Sequence, residues 1–329
     1  MPANLSPDYH RADELYKQAT TSAEKALALE KMLATIPKHK GTEKMQADIK
    51  HRIKKLKEEA QKKGGPQRSF TFHVEKEGAG QIALVGPPNT GKSTLLATLT
   101  HALPDIADFP FTTRKPLPGM MPYQNIQIQL VDLPPITAEF TESWAINIIR
   151  VSDASVFLAD LGSEDTLEQI NTVIRRLEQG KVRLVRSLPE GYEMGEQALK
   201  KAILVGNKAD LGEAPENLQI LTELFGERFP VLSISCTRST GLAELKDAIY
   251  SMLGIIRVYT KIPGREPDRE RPFVMPLGAT VMDAAERVHK DFARNLKYAR
   301  IWGSERYSGQ MVQRDYVLRD EDVIEYHLR

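Results

Sequence analysis

The chain has 329 residues, 41% hydrophobic and 27% charged, a balance typical of globular proteins that excludes a disordered or fibrous chain. At roughly 100 to 200 residues per domain it holds two or three domains, and its longest apolar stretches, 151–161 and 202–206, fall far short of the roughly 20 residues that span a bilayer. Net charge is only +1, yet residues 1–68 carry about +6, residues 69–256 about −7 and residues 257–329 about +2.

Residues 1–10 lack the basic start and apolar run of a secretory signal, and the single cysteine, Cys236, has no partner for an internal disulfide. A cytoplasmic location without a membrane partner is the expectation. From Ser6-Pro7 to Lys63 the pattern is helical: Pro7 suits a first helical position, and Thr21 and Glu24 have the spacing of a capping box. Pro37 and Gly41 interrupt it. A second helix follows Thr42, with Met45, Ile49, Ile53, Leu56 and Ala60 as an apolar stripe and Lys50, Arg52, Lys54, Lys55 and Lys57 on other faces. Residues 1–64 therefore read as a basic helical hairpin. Its charge fits either a nucleic-acid backbone or a solvated face. Gly64-Gly65-Pro66 reads as a linker.

Residues 65–254 then alternate apolar runs at 82–85, 126–131, 156–160, 202–205 and 231–235 with helical patterns, which predicts an α/β domain with a mainly parallel sheet covered on both faces. Residues 255–329 read as a small α+β module, with strand-like runs at 255–260, 272–275, 299–302 and 323–327 around a helix over 281–291. Lys290, Arg294 and Lys297 have helical spacing there and are candidates for RNA contact. Tyr298 and Trp302 are expected in the core of this module rather than on a stacking surface. His101, His289 and His327 show no metal-ligand spacing and read as structural.

The chemistry concentrates in the middle domain. Gly86-Pro87-Pro88-Asn89-Thr90-Gly91-Lys92-Ser93-Thr94 follows an apolar strand and opens a helix, the setting of a phosphate loop. Its N–H groups and helix N-terminus would cradle phosphate, Lys92 would reach the β- and γ-phosphates, and Ser93 would offer its hydroxyl to Mg²⁺. Asn207-Lys208-Ala209-Asp210 lies past the strand at 202–205 and selects the base. An ionised Asp210 accepts from the guanine ring N–H and exocyclic amine together, a donor pair adenine lacks. Asn207 would tie this loop to the phosphate loop, and the stem of Lys208 would cover one face of the base. Between the motifs, Asp108-Phe109-Pro110-Phe111-Thr112-Thr113 is a candidate first switch in which Thr113 would complete the Mg²⁺ shell. Asp132 would hold Mg²⁺ through water. Ser235-Cys236-Thr237 is a weaker match to a loop backing guanine. GTP or GDP and Mg²⁺ are thus the expected ligands, with Ser93, Thr113 and Asp132 around the metal.

With these residues in place, the chain resembles the Obg superfamily of GTPases, most closely its developmentally regulated GTP-binding protein (DRG) branch, over nearly its whole length. Carrying the resemblance are the phosphate loop, Phe109-Pro110-Phe111-Thr112-Thr113 and Asp132-Leu133-Pro134. Arg257-Val258-Tyr259-Thr260-Lys261, Val288-His289-Lys290-Asp291-Phe292, Lys297-Tyr298-Ala299, Ile301-Trp302-Gly303 and Asp320-Glu321-Asp322-Val323 look like its ubiquitin-like TGS domain. The resemblance implies slow GTP hydrolysis, association with ribosomes or RNA, and a protein regulator. It makes Lys92, Thr113 and Asn89 the candidate catalytic groups, Asn89 either helping to hold K⁺ or stabilising a turn. Two features depart from the pattern. Pro135 stands where the family has a glycine whose N–H senses the γ-phosphate, and proline has no N–H. The stretch between Leu161 and Lys201 is too short for the extra domain many relatives insert there. Ile136, which follows, is apolar, so no glutamine stands there to orient water, as in the family.

Overall fold

The computed structural model describes residues 72–100, 115–138, 141–303 and 308–328, together with isolated helical positions between 16 and 52. The chain divides into two compact units, Met1–Ser69 and Phe70–Arg329. In the first, Leu29, Met32 and Ile49 are helical and buried, and Arg52 pairs with Asp48 one turn earlier at 2.9 Å. The rest of the expected hairpin and its linker lie outside the described residues.

The second unit holds two sheets. One has seven strands: β1 (Gln81–Val85), β2 (Leu117–Tyr123), β3 (Ile126–Asp132), β4 (Ala154–Asp160), β5 (Val182–Val185), β6 (Ala198–Asn207) and β7 (Val231–Ser233). Their order is β2-β3-β1-β4-β6-β5, with β7 also paired to β6, and only the β2–β3 pair is antiparallel. The sheet is mainly parallel, as the alternation of strand and helix patterns predicts.

Continuous apolar strands follow from burial on both faces. Ala83, Val85, Phe157 and Leu204 pack against α2 (Ser143–Val151), α3 (Thr166–Gln179) and α4 (Ala214–Phe225). Their neighbours Ile82, Leu84, Val156 and Val205 pack against α1 (Lys92–Leu99) and α5 (Leu242–Leu253) on the opposite face. Each of the side chains larger than alanine contributes about 1.5–3 kcal/mol by leaving water. The C-terminal ends of β1, β3, β4 and β6 thereby open along one rim, where ligands of open α/β sheets bind.

Two strands of this sheet are invisible in the sequence pattern. In β2, Pro118 and Pro122 remove ladder donors, which only an edge strand tolerates, and β2 is the edge. The four residues of β5 carry too short an alternation to register. Between Leu161 and Lys201 the described chain runs α3, β5, β6 without an inserted domain.

The second sheet has the order β11-β10-β12-β8-β9, formed by β8 (Ile255–Lys261), β9 (Phe273–Pro276), β10 (Leu296–Trp302), β11 (Gln310–Val312) and β12 (Val323–Leu328). The helix expected over 281–291 is two helices, α6 (Val281–Val288) and α7 (Lys290–Asn295), because His289 adopts extended backbone with φ −168° and its ring accepts from Asp291 N at 3.2 Å. Thr280 starts α6 with a capping box, donating its N–H to the Asp283 carboxylate at 2.7 Å. Lys297 sits in β10, so it shares no helix face with Lys290 and Arg294. Tyr298 and Trp302 are only half-buried and stand outside the apolar core of this sheet, which corrects their expected placement.

Candidate functional site

At the rim, the 86–93 loop connects β1 to α1. Gly86 is required by close approach, since a Cβ there would stand 2.6 Å from the Leu158 carbonyl. Gly91 has φ +87°, and a Cβ on it would meet Asn207 Nδ2 at 2.4 Å. Thr90, fully buried, donates to the Pro87 carbonyl at 3.1 Å and closes the turn. Asn89 occupies the loop's exposed corner with φ +62°, a conformation asparagine tolerates better than most side chains. Lys92 bends back over the loop and donates to the Pro87 carbonyl at 2.7 Å and the Gly86 carbonyl at 3.2 Å. Burial pulls its ammonium down to about 8, partly opposed by the charge of Asp132.

β3 delivers Asp132 to the same place. Its carboxylate, 1% exposed, accepts from the Ser93 hydroxyl at 2.5 Å, so two hard oxygen donors converge at the N-terminus of α1. Such a pair fits Mg²⁺, which typically takes one or two protein oxygens beside phosphates and waters. Thr94 follows Ser93 in the first turn. Thr113 and the rest of the candidate first switch, residues 108–113, lie outside the described residues.

The segment after Asp132 is anchored on the loop. Leu133 and Ile136 are buried in the core under α2 and α3, and the Ile136 N–H donates to the Gly86 carbonyl at 3.2 Å. Arg176 Nε of α3 donates to the Thr137 carbonyl at 3.2 Å. The apolar side chain in the glutamine position thus serves packing, and its N–H is engaged by the loop. Sequence reasoning did not find this bond, because nothing in a side-chain pattern reports a backbone contact.

The Asn207-Lys208-Ala209-Asp210 motif begins at the end of β6. Asn207 Nδ2 donates to the Thr90 carbonyl at 2.9 Å, tying the two loops together as expected, and Asn207 Oδ1 accepts from the Cys236 N–H at 3.3 Å. Lys208, with φ +65°, is held by an ion pair to Asp160 at the end of β4. Asp160 is a site residue that sequence reasoning missed, although a carboxylate closing an apolar strand was the available signal. Asp210 accepts from the Ser235 hydroxyl at 2.5 Å and from Thr237 Oγ1 at 3.3 Å. The Ser235 bond is the main cause holding its carboxyl below the usual range. The 235–237 loop therefore acts through its two hydroxyls and one backbone N–H. Burial drives the Cys236 thiol up to about 11, which keeps it protonated and inert.

Gly91→Ala is expected to break the Asn207–Thr90 tie and to cost about 1–3 kcal/mol of stability, because the left-handed backbone and the amide contact must both yield. Chemical unfolding reads the loss, and an unchanged midpoint would show that Asn207 can move aside.

Fold and site together define a P-loop nucleotide-binding protein of the GTPase class with a second, smaller C-terminal domain. Residues 81–187 match the family described as "50S ribosome-binding GTPase", and residues 256–326 match the "TGS domain". An uncharacterized GTP-binding protein of Methanocaldococcus jannaschii is 29% identical, covering 90% of each chain. Developmentally-regulated G-protein 1 of Arabidopsis thaliana is also 29% identical, over 92% of this chain and 90% of its own. Among solved structures, a GTP binding protein from Pyrococcus horikoshii superposes with a TM-score of 0.52 at 18% identity, covering 76% of this chain and all of that one, and it supports the fold alone. The chain thus carries an Obg-type P-loop GTPase domain followed by a TGS domain, and it is similar over most of its length to proteins named developmentally-regulated G-proteins. The alignment to the archaeal relative runs over 354 positions against the 329 residues of this chain, so that relative carries insertions this chain lacks.

Proposed function

We propose that the chain binds GTP and GDP with Mg²⁺ and hydrolyses GTP slowly, as a translation-associated switch. The observation that carries this reading is the Asn207 bridge, which holds a phosphate loop and a guanine-selecting carboxylate in one rigid frame. Within that frame Lys92 would exchange its loop carbonyls for phosphate oxygens, and Ser93 with Asp132 would hold the metal. Mg²⁺, when bound, neutralises charge on the β- and γ-phosphate oxygens. Asp210 would select the base while Lys208, fixed by Asp160, lays its stem along the ring. On this reading Thr113 completes the metal shell, and Asn89 either assists through a K⁺ or only shapes the turn.

The proposed division is a basic helical module at 1–64, the nucleotide-binding domain at 65–254 and the TGS domain at 255–329. Ribosome or RNA association is proposed from the family description over residues 81–187 and from the basic N-terminal segment. A cytoplasmic setting suits the single buried cysteine. No helix among the described residues is long and apolar enough to cross a membrane. The test is GTP turnover in K⁺ and in Na⁺, with and without ribosomes. Turnover above that of Lys92→Ala supports the reading, and equality with that variant overturns it.

A second reading is favoured by one observation: Pro135 has no N–H, and the next one, on Ile136, is already given to Gly86. In that case the chain is a guanine-nucleotide-binding scaffold whose binding is uncoupled from hydrolysis, and GDP and non-hydrolysable GTP bind equally. Pro135→Gly restores the missing donor. It is expected to raise the preference for GTP over GDP by about tenfold, the worth of one hydrogen bond to a charged phosphate. Calorimetric titration of both nucleotides measures it, and an unchanged ratio assigns the sensing role elsewhere, such as to a protein regulator.

A further inference from the structure

The seven-stranded sheet ends on one side in β7, which among the described residues pairs only with β6. Leu204 of β6 lies opposite Val231 and donates its N–H to the Pro230 carbonyl at 2.9 Å, and the Ile234 N–H donates to the Gly206 carbonyl at 2.8 Å. In a parallel ladder alternate residues turn their main chain to the neighbouring strand. Pro230, Leu232 and Ile234 therefore face β6, while the N–H and carbonyl of Val231 and the N–H of Ser233 point away from the sheet, where no described residue takes them. Free sheet edges are normally blunted by proline or charge. The opposite edge strand, β2, carries Pro118 and Pro122, but β7 reads Val231-Leu232-Ser233 and has neither.

This edge is the floor of a groove of about 460 Å³, walled by α4 through Leu218 and Thr222 and by the start of α5 through Gly241 and Glu244. The walls decide what can enter. A second copy's β7 lies at the floor of the same groove, so two such edges cannot meet, whereas one extended segment fits between the helices. Val231 packs on the α4 side of the sheet and Leu232 on the α5 side. A strand laid beside β7 alternates in the same way. Its side chains level with Val231 and Ser233 meet the apolar wall of Leu218 and Ala209, and the one level with Leu232 comes to Glu244. Glu244 is exposed in the first turn of α5, and no described residue forms an ion pair with it. Residues 69–256 carry about −7 in total, so the groove lies in an acidic domain.

We infer that the β7 edge is a docking site for an extended peptide segment with alternating apolar and basic side chains, which adds a strand to the sheet. Main-chain bonds to Val231 and Ser233 hold the segment, and the two walls read its alternation. With GDP and Mg²⁺ saturating, a capped fluorescent heptapeptide alternating valine and lysine is expected to bind saturably. Hydrogen exchange followed by NMR should then slow at the Val231 and Ser233 amides by at least about tenfold. The same peptide N-methylated along its length keeps every side chain and charge but loses the pairing N–H groups, and should bind at least about tenfold more weakly. A peptide alternating valine and glutamate should also be weaker by about tenfold or more. Glu244→Lys should weaken the lysine peptide about fivefold, with GDP affinity unchanged as the check that the variant is folded. Should Glu244→Lys not fold, the two altered peptides decide the question on the wild-type chain. Absent binding, equal binding of the methylated or the glutamate peptide, a folded Glu244→Lys variant that binds as the wild type does, or protection at the β2 or β11 edge instead overturns the docking site. So does a dimer in sedimentation whose Val231 and Ser233 amides are protected without peptide, a result that assigns the edge to a second copy.

Discussion

Asp210→Asn should lower GTP affinity by roughly a hundredfold or more, because two charge-assisted hydrogen bonds to guanine are replaced by one neutral bond and one clash of donors. The structure prepares Asp210 for that role. Ser235 donates to it at 2.5 Å and Thr237 at 3.3 Å, and the carboxyl is held ionised below its usual range mainly by the Ser235 bond. Both hydroxyls lie on the 235–237 side, so they fix the carboxylate's orientation before a base arrives. The same variant should gain affinity for xanthosine triphosphate, whose ring carries a carbonyl where guanine has its amine. Competition between the two nucleotides measures the inversion. Wild-type GTP affinity in this variant would remove Asp210 from base recognition and reopen adenine as the ligand.

The second large effect is expected at Arg257, far from the nucleotide loops. This side chain is 4% exposed and bonds to Asp320 Oδ2 at 2.6 Å, to Glu321 at 2.8 Å and to Gln124 in the turn between β2 and β3. Its guanidinium lies 5.6 Å from the Tyr250 ring, and Tyr250 donates to Asp320 at 2.7 Å and stacks on Tyr123. Arg257→Ala leaves these carboxylates and amides without their shared donor. Breaking a buried pair by removing one partner costs about 3–5 kcal/mol, and the lower end applies because Asp320 is one-third exposed. Thermal unfolding should fall by roughly 6–12 °C, with GDP affinity unchanged. A shift below about 2 °C would show that the contact adds little to stability. Burial pushes the Asp320 carboxyl up, but the bonds from Arg257 outweigh it and hold the group below the carboxylate range. A carboxyl depressed in the folded state stabilises at pH above its unfolded value, near 4, and loses that contribution as pH falls through its folded value. The gap between wild type and Arg257→Ala should therefore narrow in acid.

Much of the candidate site was legible because its chemistry is local in the chain. The phosphate loop needs glycines, a lysine and a hydroxyl within eight residues after a strand, and that spacing survives any tertiary detail. The apolar runs of β1, β3, β4 and β6 likewise announce strands buried on both faces. The edge strand β2, with its two prolines, was not legible, because its pairing comes from a neighbour rather than from its own pattern. Asp160 escaped for a similar reason, since its partner Lys208 is distant in sequence.

The sequence by itself determined the mainly parallel sheet and the candidate groups proposed for phosphate, metal and guanine, since these depend on residue type and short spacing. Tertiary structure alone decided three other things. It engaged the Ile136 N–H with Gly86, through a backbone contact no side chain encodes. It joined Arg257 to the β2–β3 turn, a pairing set by how the two sheets pack. And it turned Tyr298 and Trp302 away from the core, because the register of β10 on β12 assigns every second side chain to the outer face.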